Sequence, residues 1–228
     1  MQIQVRHQPS FAVARVLLAP GEQVRAESGA MAMHSFGITV EAQMRGGLMG
    51  ALKRGVLGGE SLFISTFTGH ATAETWVDFA ANLPGDIWVT DVAPGRNLVI
   101  TRGSWLANAA GVEIDTKFGG LTMFGGGEGA FVLHAAGQGP VILAAYGALD
   151  VHQLQQGQGF TVDSGHLVAY DDTIQVAVRK ATSGIMQTLK SGEGLVLDFQ
   201  GPGRVVTQSR NPNGLISWIQ SVLPGSRE

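Results

Sequence analysis

The sequence predicts an all-β fold: three tandem internal β repeats forming a pseudo-threefold, sandwich- or barrel-like body, plus one short C-terminal helix. Three observations carry that prediction. The first is a segment that occurs three times, as PGEQVRAESGAM around Gly29, PGRNLVITRGSW around Gly103 and QGQGFTVDSGHL around Gly165. In each copy another glycine stands eight positions earlier, at Gly21, Gly95 and Gly157. The second is a constant order of segments downstream of each copy. Nine positions after each central glycine comes an alternating segment, Ile38-Thr39-Val40, Val112-Glu113-Ile114 or Ile174-Gln175-Val176. A small-residue pair, a Gly-Glu step into an apolar strand and a closing glycine (Gly69, Gly137, Gly201) come next in every copy. Anchors kept in one order identify a repeat rather than a shared glycine bias. The third is composition. With 33 glycines and only 14% charged residues, the chain reads as one of many tight turns, not as a disordered one.

The elements are read in chain order. Ile3 and Val5, then the apolar run Ala12 to Leu18, read as strands that stop at the turn Pro20-Gly21. In GITVEAQM the apolar residues Ile38, Val40, Ala42 and Met44 alternate with Thr39, Glu41 and Gln43, the pattern of a half-buried strand. VEIDTKF and IQVAVRK behave the same way. Met31 and Met33 are expected in the core. Leu83-Pro84-Gly85-Asp86 marks the junction before the second repeat, and the Gln-rich junction from Leu149 to Gly157 is a candidate single helical turn. Asn211-Pro212-Asn213-Gly214 reads as a turn. After it Leu215, Ile216, Trp218, Ile219, Val222 and Leu223 recur at helical spacing up to Pro224-Gly225. The simplest role for this amphipathic helix is to cover a sheet edge or pack on a neighbouring subunit. The expected organisation is one domain over 1–228, with repeats at about 20–75, 94–148 and 157–210 and a helical tail at 211–228. A unit of four or five short strands buries too little by itself, so the three are expected to share cores.

Charge and composition narrow the function. The net charge of −3 provides no global field for nucleic acid or acidic lipid. There is no cysteine, so disulfide and thiol chemistry are excluded. The N-terminus MQIQVRHQPSF lacks a basic-then-apolar signal pattern and no apolar run reaches membrane-spanning length, which together predict a cytoplasmic location.

The signatures Glu27-Ser28-Gly29-Ala30-Met31, GGLMGALKRGVLGGES from Gly46, Ser164-Gly165-His166-Leu167-Val168-Ala169, Gly192-Glu193-Gly194-Leu195, Gly201-Pro202-Gly203 and Gln208-Ser209-Arg210 carry a resemblance. Together they resemble the family named after the yeast altered inheritance of mitochondria protein 24, over nearly the whole chain. The resemblance implies a β-sandwich like that of the tryptophan RNA-binding attenuation protein, repeated within one chain. Mitochondrial relatives are associated with inner-membrane organisation. The resemblance brings no catalytic residues.

The residues themselves offer two sites. Each repeat places a glycine-rich apolar segment between its alternating strand and its Gly-Glu strand. These segments carry Leu48, Met49 and Leu52 beside Lys53 and Arg54, then Leu121, Met123 and Phe124, then Ile185, Met186 and Leu189. Surface loops are normally polar, so three apolar ones mark a contact surface if exposed. Methionine suits an adaptable contact, and Lys53 and Arg54 could meet phosphates or acidic groups. Three readings stay open: packing inward or against another copy of the chain, contact with a different protein, and contact with a membrane surface. The second site is the set of equivalent glutamates Glu60, Glu128 and Glu193, whose carboxylates suit Ca²⁺ or Mg²⁺ if they converge. The simpler role for each is a solvated or backbone-capping carboxylate at a strand entry.

No enzyme signature is present. The six histidines occupy no equivalent repeat positions and no metal-ligand spacing. Ser28 and Ser61 lie in β repeats, not at a strand-to-helix nucleophile elbow. The clusters Gly58-Gly59 and Gly125-Gly126-Gly127 precede strands, whereas phosphate loops open helices. With 7% aromatics and an acidic balance, a nucleic-acid groove is not expected. The expected function is therefore a non-catalytic, self-associating scaffold or interaction module without a cofactor. It would be a homo-oligomer that contacts a protein partner or acts peripherally at a membrane. The alternative is a small-ligand or divalent-metal-binding protein that uses the glutamates or an inter-repeat cavity.

Overall fold

The strand order repeats in steps of six. In the computed structural model, which describes residues 1–44, 63–116, 132–180 and 195–223, β1 (Gln2–Arg6) and β2 (Val13–Leu18) come first. The first repeat supplies β3 (Gln23–Glu27), β4 (Met31–His34), β5 (Thr39–Met44), β6 (Phe63–Thr68) and β7 (Thr75–Ala80). β8 (Ile87–Val92) leads into β9 (Leu98–Thr101), β10 (Trp105–Ala109), β11 (Val112–Thr116), β12 (Val132–Gly137) and β13 (Gly139–Ala144). β14 (Leu149–Leu154) leads into β15 (Gly159–Asp163), β16 (Leu167–Asp171), β17 (Gln175–Lys180), β18 (Leu195–Gln200) and β19 (Gly203–Gln208). The helix α1 (Pro212–Val222) comes last among the described residues.

Every ladder between these strands is antiparallel. One sheet runs β1-β2-β7-β4 and the next β5-β6-β3-β10-β13-β8. The third runs β11-β12-β9-β16-β19-β14, the same order advanced by six, and the fourth is β15-β18-β17. Both six-stranded sheets are therefore half one repeat and half the next, joined by β3 to β10 and by β9 to β16. The likeness extends to defects. β4 on β7, β10 on β13 and β16 on β19 each slip by one residue, at Met31/Met33, Trp105/Ala107 and Leu167/Ala169. A bulge twists and bends its strand, so its recurrence gives each repeat the same bend at the same point.

The glycines eight positions before the centre explain the turns. Gly21, Gly95 and Gly157 all have positive φ, at 73°, 78° and 79°. That region is costly for residues with a Cβ. Gly29 and Gly103 do the same, with φ of 90° and 84°. Gly165 departs, lying in a 3-10 turn over Ser164–His166.

Three cores form between the sheets. Ala14, Val16, Leu18, Val77 and Phe79 of the first sheet meet Val24, Ala26 and Phe67 of the second. Phe67 and Phe79 make an edge-on contact at 5.3 Å. The second core surrounds Trp105, with Leu98, Ile100, Ile114 and Leu143. It also takes Ile64 from the first repeat and Val168, Ala169 and Val206 from the third. The third core joins Leu167, Tyr170 and Val205 to Leu197 and Phe199.

Four expectations need correction. Met31 and Met33 are not core residues, being 39% and 51% exposed, because β4 is the last strand of its sheet and pairs with no further strand among the described residues. Val40 is 44% exposed, so β5 is not half-buried as β11 is. The β11 residues Val112 and Ile114 share their core with Ile64 from the preceding repeat, and none of the described residues buries Val40 in the same way. The junction at Leu149 is strand β14, paired along its length with β19, and not a helical turn. As an edge strand it tolerates the polar residues that suggested otherwise. Finally, Asn211-Pro212-Asn213-Gly214 is not a separate turn. Asn211 caps α1 by accepting from the Asn213 N–H, and Pro212 stands in its first turn, where the missing N–H costs nothing.

Candidate functional site

The contact residues expected from sequence, Leu48, Met49, Leu52, Lys53, Arg54, Leu121, Met123, Phe124, Ile185, Met186 and Leu189, lie outside the described residues. So do Glu60, Glu128 and Glu193. The strands that flank them are described. The three segments join β5 to β6, β11 to β12 and β17 to β18. In each case the first strand is the outermost of its sheet and the second is its hydrogen-bonded neighbour.

A cleft lies where the first repeat meets the second. Alternation along β3 points Val24 and Ala26 into the core and turns Gln23 and Arg25 outward. Arg25 Nη1 donates to Glu113 Oε1 on β11 at 2.7 Å, which ties the two repeats together. These residues, with Glu41, Thr66 and Asn108, line a space of about 240 Å³. Asn108 is fully engaged there: its Oδ1 accepts the Trp105 indole N–H at 3.0 Å, and its amide donates to the carbonyls of Ala109 and Val112. It holds the floor of the cleft in place and has no group left for a ligand. The cleft offers a carboxylate-rich wall with one guanidinium, which suits a small polar solute better than an apolar one.

Two other charge clusters are buried and paired. The Asp78 carboxylate is fully buried on β7, where it accepts from Arg6 Nη2 at 2.6 Å and from Arg15 Nε and Nη2 at 2.8 and 2.9 Å. Arg15 lies over the Trp76 ring at 3.8 Å, and its hydrogen bond to Asp78 raises its pKa above the ordinary value. Asp171 accepts the Arg204 backbone N–H at 2.8 Å and its guanidinium at 2.7 Å, while Arg204 Nη1 reaches Thr90 at 2.9 Å. Removing an arginine from either cluster leaves a buried carboxylate without its partner, so both clusters hold strands together. The alternating strand TWVDFA places Asp78 between apolar neighbours, and Arg6 and Arg15 sit at alternating positions of their own strands. That out-of-place acid was the sequence signal for the pair, and pattern reading on hydrophobicity alone passed over it.

The remaining candidates are equally plain. Ser28 Oγ faces Ser65 Oγ at 3.4 Å, not a base. Burial lifts the Glu27 carboxyl above its ordinary value, with Arg102 pulling it back. His166 Nδ1 contacts the Gln208 carbonyl at 2.8 Å, and His152 Nε2 contacts Thr207 at 3.0 Å. Among the described residues, no group of three His, Asp or Glu side chains is placed to hold a metal ion. Among them, too, no helix is long and apolar enough to cross a membrane.

The model of the family described as "Mitochondrial biogenesis AIM24" matches residues 3–210. The chain belongs to this family. Its AIM24 relatives include an uncharacterised protein of Streptococcus pyogenes serotype M6, 26% identical over 234 residues, which cover 99% of this chain and 92% of the relative. A crystal structure of a Streptococcus pyogenes protein superposes with a TM-score of 0.81 at 24% identity, covering 97% of this chain and 99% of that one. At that identity the likeness shows the fold alone. The AIM24 match stops at Arg210, so α1 lies beyond it and the three strand repeats lie within it.

Proposed function

We propose that this AIM24-family chain is a non-catalytic, self-associating scaffold that offers its glycine-rich apolar segments as a contact surface. The observation that carries the reading is positional. An apolar segment occurs three times, always between the outermost strand of a sheet and its neighbour. In this reading the three repeats form a pseudo-threefold body of the kind seen in the tryptophan RNA-binding attenuation protein, in a single domain. The contact is made in the cytoplasm with a protein or at a membrane surface, with Lys53 and Arg54 meeting acidic groups.

The test is a triple charge substitution, Leu48→Asp, Met123→Asp and Ile185→Asp. Flotation with neutral and anionic liposomes and light scattering are measured on both proteins. Loss of flotation or of assembly in the triple variant, with its melting temperature kept, supports the reading. Flotation that survives all three changes rejects the apolar segments as the contact surface, whatever mass light scattering gives.

A second reading rests on the inter-repeat cleft. Gln23, Arg25, Glu41 and Glu113 would hold a small polar ligand. A ligand that binds only the folded state raises the melting temperature. A thermal shift with small polar solutes that Arg25→Met and Glu41→Gln abolish would favour this reading over the first.

A further inference from the structure

The strand order leaves one junction unmade. The second and last strands of each repeat, together with the strand before it, form a three-strand group: β4-β7-β2, β10-β13-β8 and β16-β19-β14. The other strands form β5-β6-β3, β11-β12-β9 and β17-β18-β15. The junctions β3 to β10 and β9 to β16 join the second kind of group to the first kind in the following repeat. The same rule leaves β15 of the third repeat and β4 of the first, each paired on one side only among the described residues. Both strands are described, and they are not paired with each other.

Exposure at the β4 edge matches a missing partner. All four residues of β4 are exposed, whereas β10 and β16 are buried almost throughout. Met31 and Met33 stand at the positions of Trp105 and Ala107, which are 1% and 0% exposed. Val40 stands at the position of Ile114, another core residue. These apolar side chains occupy positions that the internal junctions cover. An exposed edge also presents a row of unpaired backbone groups that templates another strand.

We propose that β15 of one copy of this chain pairs antiparallel with β4 of the next, forming a sheet that runs β17-β18-β15-β4-β7-β2-β1 across the interface. The two internal junctions fix its register. Ala107 faces Ala26 and Asn108 faces Arg25 in one; Ala169 faces Ile100 and Tyr170 faces Val99 in the other. The matching positions set Met33 opposite Val162 and His34 opposite Thr161. The occupant is a second copy because this chain carries both halves of a junction already built twice within it. The contact is heterologous, head to tail, so successive copies close into a ring or extend as a filament. This rests on the self-association reading above and gives it a surface separate from the apolar segments.

The absence of cysteine in the chain makes a cross-link unambiguous. Directly opposed residues in antiparallel strands hold their Cβ atoms about 4.5–5.5 Å apart, within reach of a disulfide after slight adjustment. His34→Cys and Thr161→Cys are made as separate variants, mixed and oxidised. The expected product is a disulfide-linked species of twice the 23.9 kDa chain mass, formed in the mixture and in neither variant alone. Met33→Lys, at a side chain exposed in the single chain, should keep the melting temperature and drop the light-scattering mass to one chain. A double His34→Cys/Thr161→Cys variant that oxidises within one chain overturns the proposal, because the edges then close on themselves. An assembly that persists in Met33→Lys without any mixed cross-link also overturns it while leaving self-association intact. A single-chain mass for the unmodified protein rejects both.

Discussion

Tyr170 shows how much one side chain depends on its neighbours here. It sits on β16 with Phe199 edge-on at 5.4 Å, and burial pushes its phenol up to about 12 from the ordinary value near 10. The cause is desolvation of the phenolate, which an apolar wall does not repay. The folded chain therefore holds this proton over a range in which the unfolded chain has lost it. Stability from this residue is complete below pH 10 and drains away as pH rises towards 12, by roughly 2–3 kcal/mol. Melting temperatures measured between about pH 9 and 12 should fall more steeply in the unmodified protein than in Tyr170→Phe. Parallel curves for the two proteins would mean that the third core is wet. Asp78 is the opposite solution to the same problem, since its buried charge is kept and satisfied by two arginines.

At the scale of the element, Gly165 and Gly103 test how the repeat was altered to receive the helix. Gly103 has φ of 84° and open space where a Cβ would be, so Gly103→Ala introduces only backbone strain of roughly 1–2 kcal/mol. At Gly165 a Cβ would run into the Asn211 side chain, whose oxygen caps α1 at 2.9 Å from the Asn213 N–H. Gly165→Ala should therefore release the start of the helix. An isolated helix of 11 residues is marginal in water, so its amides should then exchange faster, while Gly103→Ala lowers the melting temperature and leaves them unchanged. Equal exchange in both variants would separate Asn211 from helix stability. Turns and helix were legible because Gly21, Gly95, Gly157 and the spacing from Leu215 to Leu223 are local signals. β5 and β4 were misread because alternation reports which residues can be buried, and burial needs a covering layer supplied by another repeat. The cleft at Arg25 and Glu113 is a contact across 88 positions, and no local pattern announces it.

For the whole molecule, the decisive feature is that repeat and folding unit do not coincide. A stacked array in which each repeat touches only its neighbours can lose repeats one at a time. Here the second and third sheets each cross a repeat boundary, and the second core draws on all three repeats through Ile64, Trp105 and Val206. Melting the third repeat would uncover the Trp105 core and strip β9 of its partner β16. The repeats should therefore unfold together. With the half-buried Trp76 and Trp88 replaced by Phe, emission reports the second core through Trp105, which is 1% exposed, whereas Trp218 is 62% exposed on α1 and changes little on unfolding. In urea, tryptophan emission and far-ultraviolet circular dichroism should trace one coincident transition, measured on Met33→Lys so that assembly does not enter. Emission that shifts before the β signal falls would mean that the Trp105 core opens while the outer sheets persist. Continuity of the sheets across the repeat boundaries would then contribute less to cooperativity than packing within each repeat.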